Sequence, residues 1–175
     1  MLEKKLNVCS YDVLPDGTLK PSSFQKYCQQ IGIEDLSAVG ATYHALKDKG
    51  MAFVLMRYAA EFRSEVRSEE EVVLRTHAYK CDGVMFYRAF ELFRNGEFVG
   101  SADTRWVLLD VRKRTILRPS QFNFQTHETQ PEYELAEIVR RITPERTDFR
   151  TERKVRLTEM DENGHLNNCS YADWA

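Results

Sequence analysis

Between Met51 and Val111 the chain takes on strand texture over segments of ten or more residues, two of whose joints are very short turn signals. "MAFVLMRYAAEF" is rich in β-forming residues, and "EEVVLRTHAYK" puts Val73, Arg75, His77 and Tyr79 on one face against Val72, Leu74, Thr76 and Ala78 on the other. "VMFYRAFELF" and "EFVGSADTRWVLLDV" follow. Asp82-Gly83 and Asn95-Gly96 supply hairpin turns, in which both central residues are expected at positive φ. These sixty residues predict an antiparallel meander of long strands.

The segment before the meander reads differently. A first strand is expected over Lys4 to Tyr11, then a turn at "LPDGTLKP". Phe24, Tyr27, Cys28 and Ile31 then repeat at helical spacing, with Pro21 as a start and Gly32 as a stop. A second helical stretch is expected over 36–48, closed by Gly50. One strand, then helix, then several antiparallel strands is the outline of an α+β domain whose sheet wraps a helix. We place this domain at 1–120, ending the strands at Pro119. Residues 121–147 read as a linker across the surface, with a short helix at "EYELAEIVRRI". Residues 148–175 restart the opening plan, with a strand in "DFRTERKVRLTEMD" and a helix from "HLNNCSYADWA", as an incomplete second copy.

A net charge of −2 supplies no general attraction for nucleic acid or anionic membranes. The longest apolar runs are far shorter than a bilayer span, and the first residues lack the features of a secretory signal. Cys9, Cys28, Cys81 and Cys169 form no CxxC pair, which suits reduced thiols in the cytoplasm. The Asn168 sequon is then incidental. Neither a membrane nor a nucleic acid is expected as partner.

The chemistry concentrates in "MDENGHLNNCSYADW", residues 160–174. Several readings compete. It can be a polar turn capped by Asn167 or Asn168, with Asp161 and Glu162 near the positive helix end. A calcium loop fits poorly, because its sixth position is Leu166 and its twelfth is Ala172. Asp161, His165 and Cys169 stand four apart, but Gly164 interrupts the helix a zinc site would need there. Cys169 with His165 could form a thiol nucleophile, although a cysteine in apolar company is more often inert. The remaining reading is acyl transfer at a helix N-terminus. Backbone N–H groups there stabilise the oxyanion of an attacked thioester, Gly164 admits the substrate, and His, amide and carboxylate groups orient water.

That same stretch resembles the D-x-N-x-H-x-N-N-x-x-Y-x-x-W segment of the acyl-acyl carrier protein thioesterases, and the wider signature of hotdog-fold thioesterases. "FQKYCQQIG", "GMAFVLMRYAAEF", "EEEVVLRTHAYKCDGVMFYRAFEL" and "SADTRWVLLDVRKRTILRP" fall in that family's order. The resemblance implies two tandem hotdog domains, the first shaping an acyl pocket and the second carrying catalysis. It makes Asp161, Asn163 and His165 the catalytic matches, with Gly164, Asn167 and Asn168 beside the substrate. A further carboxylate lies downstream in the family and has no counterpart here, so the second copy is expected to be partial and activity of these 175 residues is open. The implied reaction is hydrolysis of a fatty acyl thioester on acyl carrier protein, without metal or redox cofactor. An acyl-CoA thioesterase, a non-catalytic acyl-binding or assembly module, and a hydratase are the alternatives.

Phe53, Leu55, Val54 and Met56 belong to a strand apolar on both faces; Phe53 and Met56 are candidates for an acyl tunnel, with plain core as the competing reading. Arg112, Lys113 and Arg114, with Arg118 and the Arg140–Arg141 pair, could dock an acidic carrier protein or simply be solvated. His44, His77 and His127 have no partner at a meaningful spacing. Edge-to-edge pairing of sheets makes a homo-oligomer the expected assembly.

Overall fold

The computed structural model describes residues 1–121, 129–138, 143, 145, 146 and 148–174. Its frame is one antiparallel sheet made of β1 (Leu2–Asn7), β2 (Met51–Phe62), β3 (Glu71–Asp82), β4 (Met85–Arg94), β5 (Glu97–Asp110) and the short β6 (Thr115–Leu117). The strand order is β1-β3-β4-β5-β2, with β6 paired to the far end of β5. Across one face lies α1 (Pro21–Ala38), followed by α2 (Tyr43–Asp48).

The period-2 alternation determines which face α1 covers. Val72, Leu74 and Thr76 of β3, Phe90 and Leu92 of β4, and Ala102 of β5 are all buried, and most of them pack with Phe24, Cys28 and Ile31 of α1. Phe24 is fully buried against Phe62 at 5.0 Å between ring centroids. Emptying that position to Ala would cost about 3–5 kcal/mol. A smaller cluster of Ala41, Leu46 and Leu108 seats α2.

The helix limits differ from the sequence expectation. Gly32 does not stop α1; it lies inside the helix, facing Arg88 and Phe90 of β4, and α1 continues through Leu36. The first strand ends at Asn7, because the chain turns through a 3₁₀ segment at Ser10–Asp12. The hairpin at Asn95-Gly96 has both residues at positive φ, 53° and 81°. The other hairpin is shifted by one: Asp82 pairs with Met85, the turn is Gly83 and Val84, and of its residues only Gly83 has positive φ.

The opposite face of the sheet is covered by 129–138. This segment is irregular, not the expected helix, because sheet side chains capture its backbone. Glu91, fully buried, accepts the amides of Glu132 and Tyr133 at 3.0 and 3.2 Å, and Ser101 accepts that of Ala136 at 3.0 Å. Tyr133 stacks on Phe98 at 4.3 Å. Residues 148–156 have no ladder partner, so the strand expected there is absent; Arg140 and Arg141 lie outside the described residues.

The final segment repeats the opening one at the level of backbone hydrogen bonds. Leu14 N–Thr18 O recurs as Asp161 N–His165 O, Gly17 N–Leu14 O as Gly164 N–Asp161 O, and Lys20 N–Asp12 O as Asn167 N–Glu159 O. The bridge Val13–Leu19 recurs as Met160–Leu166. Even a side-chain link is repeated: Tyr27 donates to Asp12, and Trp174 Nε1 donates to Glu159. A 3₁₀ turn at Leu157–Glu159 leads into this loop, and α3 (Asn168–Trp174) follows it and packs on α1.

Candidate active site

Packing α3 on α1 brings the 161–168 loop over the gap between α1, α2 and the sheet. There a cavity of about 700 Å³ opens, within the size range usual for small-molecule sites. Its interior is lined by Ile33 and Leu36 of α1, Leu46 of α2, and Phe53 and Phe86 of the sheet. Phe53 and Phe86 meet edge to face at 5.2 Å. At the loop side the lining turns polar, with Asp161, Asn163, Asn167 and Asn168.

The loop is held by its own residues. Asp161 Oδ1 accepts the amides of Asn163 at 2.9 Å and His165 at 3.1 Å, and Gly164 takes φ of 74°, where a Cβ would be strained. Asn167 is the cap of α3: its Oδ1 accepts from Cys169 N at 2.9 Å, and its carbonyl from Ser170 N at 2.9 Å. Asn167 N itself donates to Glu159 O. The first turn of α3 is therefore already largely satisfied, and the Asn168 amide has no acceptor among these turn and cap bonds. The Asn167 cap thus removes the Cys169 and Ser170 amides from the supply of helix-end donors expected from the sequence and leaves the Asn168 amide outside it.

Asn163 is fixed from the other side. Its Oδ1 accepts from the Tyr43 hydroxyl at 3.2 Å, a link between α2 and the loop that leaves the Asn163 amino group as a donor. Below the loop, Glu159 accepts from Arg156 N at 2.8 Å, from Arg153 at 2.6 Å and from Trp174 Nε1 at 3.2 Å. The Arg156 amide is the chief reason its carboxyl sits below the usual range.

The other candidates divide. Phe53 lines the cavity, whereas Met56 does not: it is the extra residue of a β-bulge between Leu55 and Arg57 and is 52% exposed. His165 stands on the exposed side of the loop, outside the cavity lining. Cys169 is fully buried, 3.5 Å from Gln29 Oε1, and burial pushes its thiol up to about 11, the opposite of an activated nucleophile. Among the described residues no three His, Cys, Asp or Glu side chains are placed to hold a metal ion. Arg112, Lys113 and Arg114 form the exposed β5–β6 turn, nucleated by Asp110 Oδ1 accepting the amides of Arg112 and Lys113. Of the three, Arg112 reaches the cavity rim. Among the described residues no helix is long and apolar enough to cross a membrane.

Tyr43 was not legible as a site residue. Tyr43 reads as one more apolar position on a helical face, although it directly follows the α2 cap Thr42, a place where a side chain can reach outward.

The fold recurs in solved thioesterases. A Lactobacillus plantarum protein named as an oleoyl thioesterase superposes with a TM-score of 0.80 at 20% identity, over 98% of this chain and 68% of that one. The 12:0-ACP thioesterase of Umbellularia californica gives 0.79 at 17% identity, over 99% and 72%. An acyl-ACP thioesterase of Bacteroides thetaiotaomicron gives 0.72 at 17%, over 98% and 70%. No curated protein sequence matches. The architecture is the hotdog fold. Residues 1–121 match the acyl-ACP thioesterase N-terminal domain, and the chain therefore belongs to the acyl-ACP thioesterase family.

Proposed function

We propose that the protein cleaves fatty acyl thioesters carried by acyl carrier protein, releasing free acid and the carrier thiol. The observation that carries this reading is the cavity itself: an apolar interior large enough for an acyl chain, ending at the Asp161–Asn168 loop. The acyl chain lies against Phe53, Phe86 and Leu36, and its thioester meets the loop. The Asn163 amino group, oriented by Tyr43, and the Asn168 amide polarise the carbonyl as negative charge develops on it. Asp161 holds the loop in register, and His165 assists the attacking water once the loop closes on substrate. The Arg112–Arg114 turn at the rim faces the acidic carrier. The recurrence of the opening hydrogen-bond pattern in 157–174 supports reading the tail as the start of a second hotdog unit.

A second reading, an acyl-binding module without turnover, is favoured by the position of His165 outside the cavity lining. Thiol release from dodecanoyl and hexadecanoyl thioesters of acyl carrier protein and of coenzyme A separates the two. Release from the carrier thioester, lost in His165→Ala and Asn163→Ala, supports the enzyme. Release from coenzyme A alone moves the substrate, and acyl binding with no release from either establishes the binding module.

A further inference from the structure

Hydrolysis of a thioester needs a group that takes a proton from water, and the cavity lining narrows the choice. Among the described residues the lining holds no histidine. Its one cysteine, Cys28, keeps its proton, because burial pushes the thiol well above its ordinary value. Lys47, seated over the Tyr43 ring at 5.4 Å, and Arg112 are cations with no lone pair to offer. Two carboxylates remain, Asp161 and Glu162. They are not equivalent. Asp161 is committed to the loop, its Oδ1 accepting the Asn163 and His165 amides at 2.9 and 3.1 Å. Glu162 is exposed, and among the described residues it makes neither a hydrogen bond nor an ion pair. The bond from Gly164 N to Asp161 O, 3.0 Å, makes Glu162 and Asn163 the two central residues of a turn. The free carboxylate therefore stands one residue from the amino group assigned above to the thioester carbonyl.

Given the thioesterase reading above, on which this step rests, we infer that Glu162 is the general base of the reaction. Its carboxylate takes a proton from water as the water oxygen bonds to the carbonyl carbon. Negative charge moves to the carbonyl oxygen, where the Asn163 amino group and the Asn168 amide meet it. The oxyanion then collapses, and the C–S bond breaks with its electron pair on sulfur. The Glu162 proton passes to that sulfur, so acid and thiol leave and the carboxylate is restored. His165, outside the lining, orients the water when the loop closes. This base lies inside the loop, not at the downstream position that the family resemblance implies.

Thiol release from dodecanoyl and hexadecanoyl thioesters of acyl carrier protein and of coenzyme A tests the assignment in Glu162→Gln, Glu162→Asp, Glu162→Ala and His165→Ala. Because Glu162 is exposed and unpartnered, its three variants should melt at the wild-type Tm. Glu162→Gln keeps the shape and loses the proton acceptor, so kcat should fall roughly hundredfold or more with KM little changed. Glu162→Asp should lose less. Sodium formate, a small carboxylate, should restore part of kcat to Glu162→Ala and none to His165→Ala. A kcat for Glu162→Gln within about threefold of wild type overturns the inference and leaves the thioesterase standing. So does a rise in KM with kcat unchanged, or a fall in kcat that formate does not relieve, since each marks a binding or shaping role. No release from any of these thioesters by the unaltered protein overturns the thioesterase reading as well.

Discussion

Replacing Gly32 by alanine should stabilise the protein and slightly shrink its cavity. Gly32 sits inside α1 with ordinary helical φ, and a Cβ there would stand 3.6 Å from both Arg88 Cδ and Phe90 Cζ, at normal contact distance. Removing a glycine from a helix interior yields about 1 kcal/mol. Burying one methyl at an incompletely filled wall adds at most about 0.8 kcal/mol. A net gain of about 1–1.5 kcal/mol is expected, which for a chain of this size raises Tm by roughly 2–6 °C. The assay is thermal unfolding of Gly32→Ala beside wild type, with Gly32→Leu as the second arm. The leucine should keep binding of short acyl chains and lose that of long ones, because its side chain extends into the acyl space. A fall in Tm for Gly32→Ala would refute the reasoning, since it would mean that α1 and β4 approach too closely there for any side chain.

The loop makes its own prediction. Asp161→Ala removes the acceptor of the exposed Asn163 and His165 amides and should cost about 0.5–1.5 kcal/mol of local stability and most of the thiol release, whereas Asp161→Asn keeps an acceptor and should retain more. Equal losses in steady-state rate would show that the charge, not the loop shape, matters. Cys28 and Cys169 are buried with raised thiol pKa, so alkylation at pH 8 should label Cys9 and Cys81 first, and the buried pair only on unfolding, as peptide mass mapping would show. His77 is buried without a hydrogen-bond partner, and burial lowers its pKa, partly offset by the nearby Glu91 charge. The unfolded chain then takes up the proton first, so stability should fall as pH drops below about 6.5, and His77→Phe should flatten that slope in denaturant titrations.

Features governed by local chemistry were legible in the sequence. The alternation from Glu71 onward fixed which side chains face α1, and Asn95-Gly96 formed the turn its residues favour. What tertiary contacts decide was not. The helical pattern at 132–142 gives way in its described part because Glu91 and Ser101 take amides that a helix would need. Gly32 looked like a stop because sequence shows a missing side chain but not the β4 residues packed against it. Met56 looked like a tunnel residue until the bulge turned it outward. In the candidate site, the D-x-N-x-H stretch falls on a loop whose Asp161 and Asn163 border the cavity, while His165 does not. The narrowing of helix-end donors follows from the Asn167 cap, and the orientation of Asn163 from Tyr43, a contact spanning most of the chain.

The most direct test of the account is to find where an acyl chain lies. Photolysis of a thioester analogue with a diazirine near the end of its acyl chain, followed by peptide mapping, reports its neighbours. The account predicts labelling of Phe53, Phe86, Leu36 and Leu46, competed away by excess unlabelled ligand. Labelling confined to the outer sheet face beneath 129–138, or spread without competition, would contradict it.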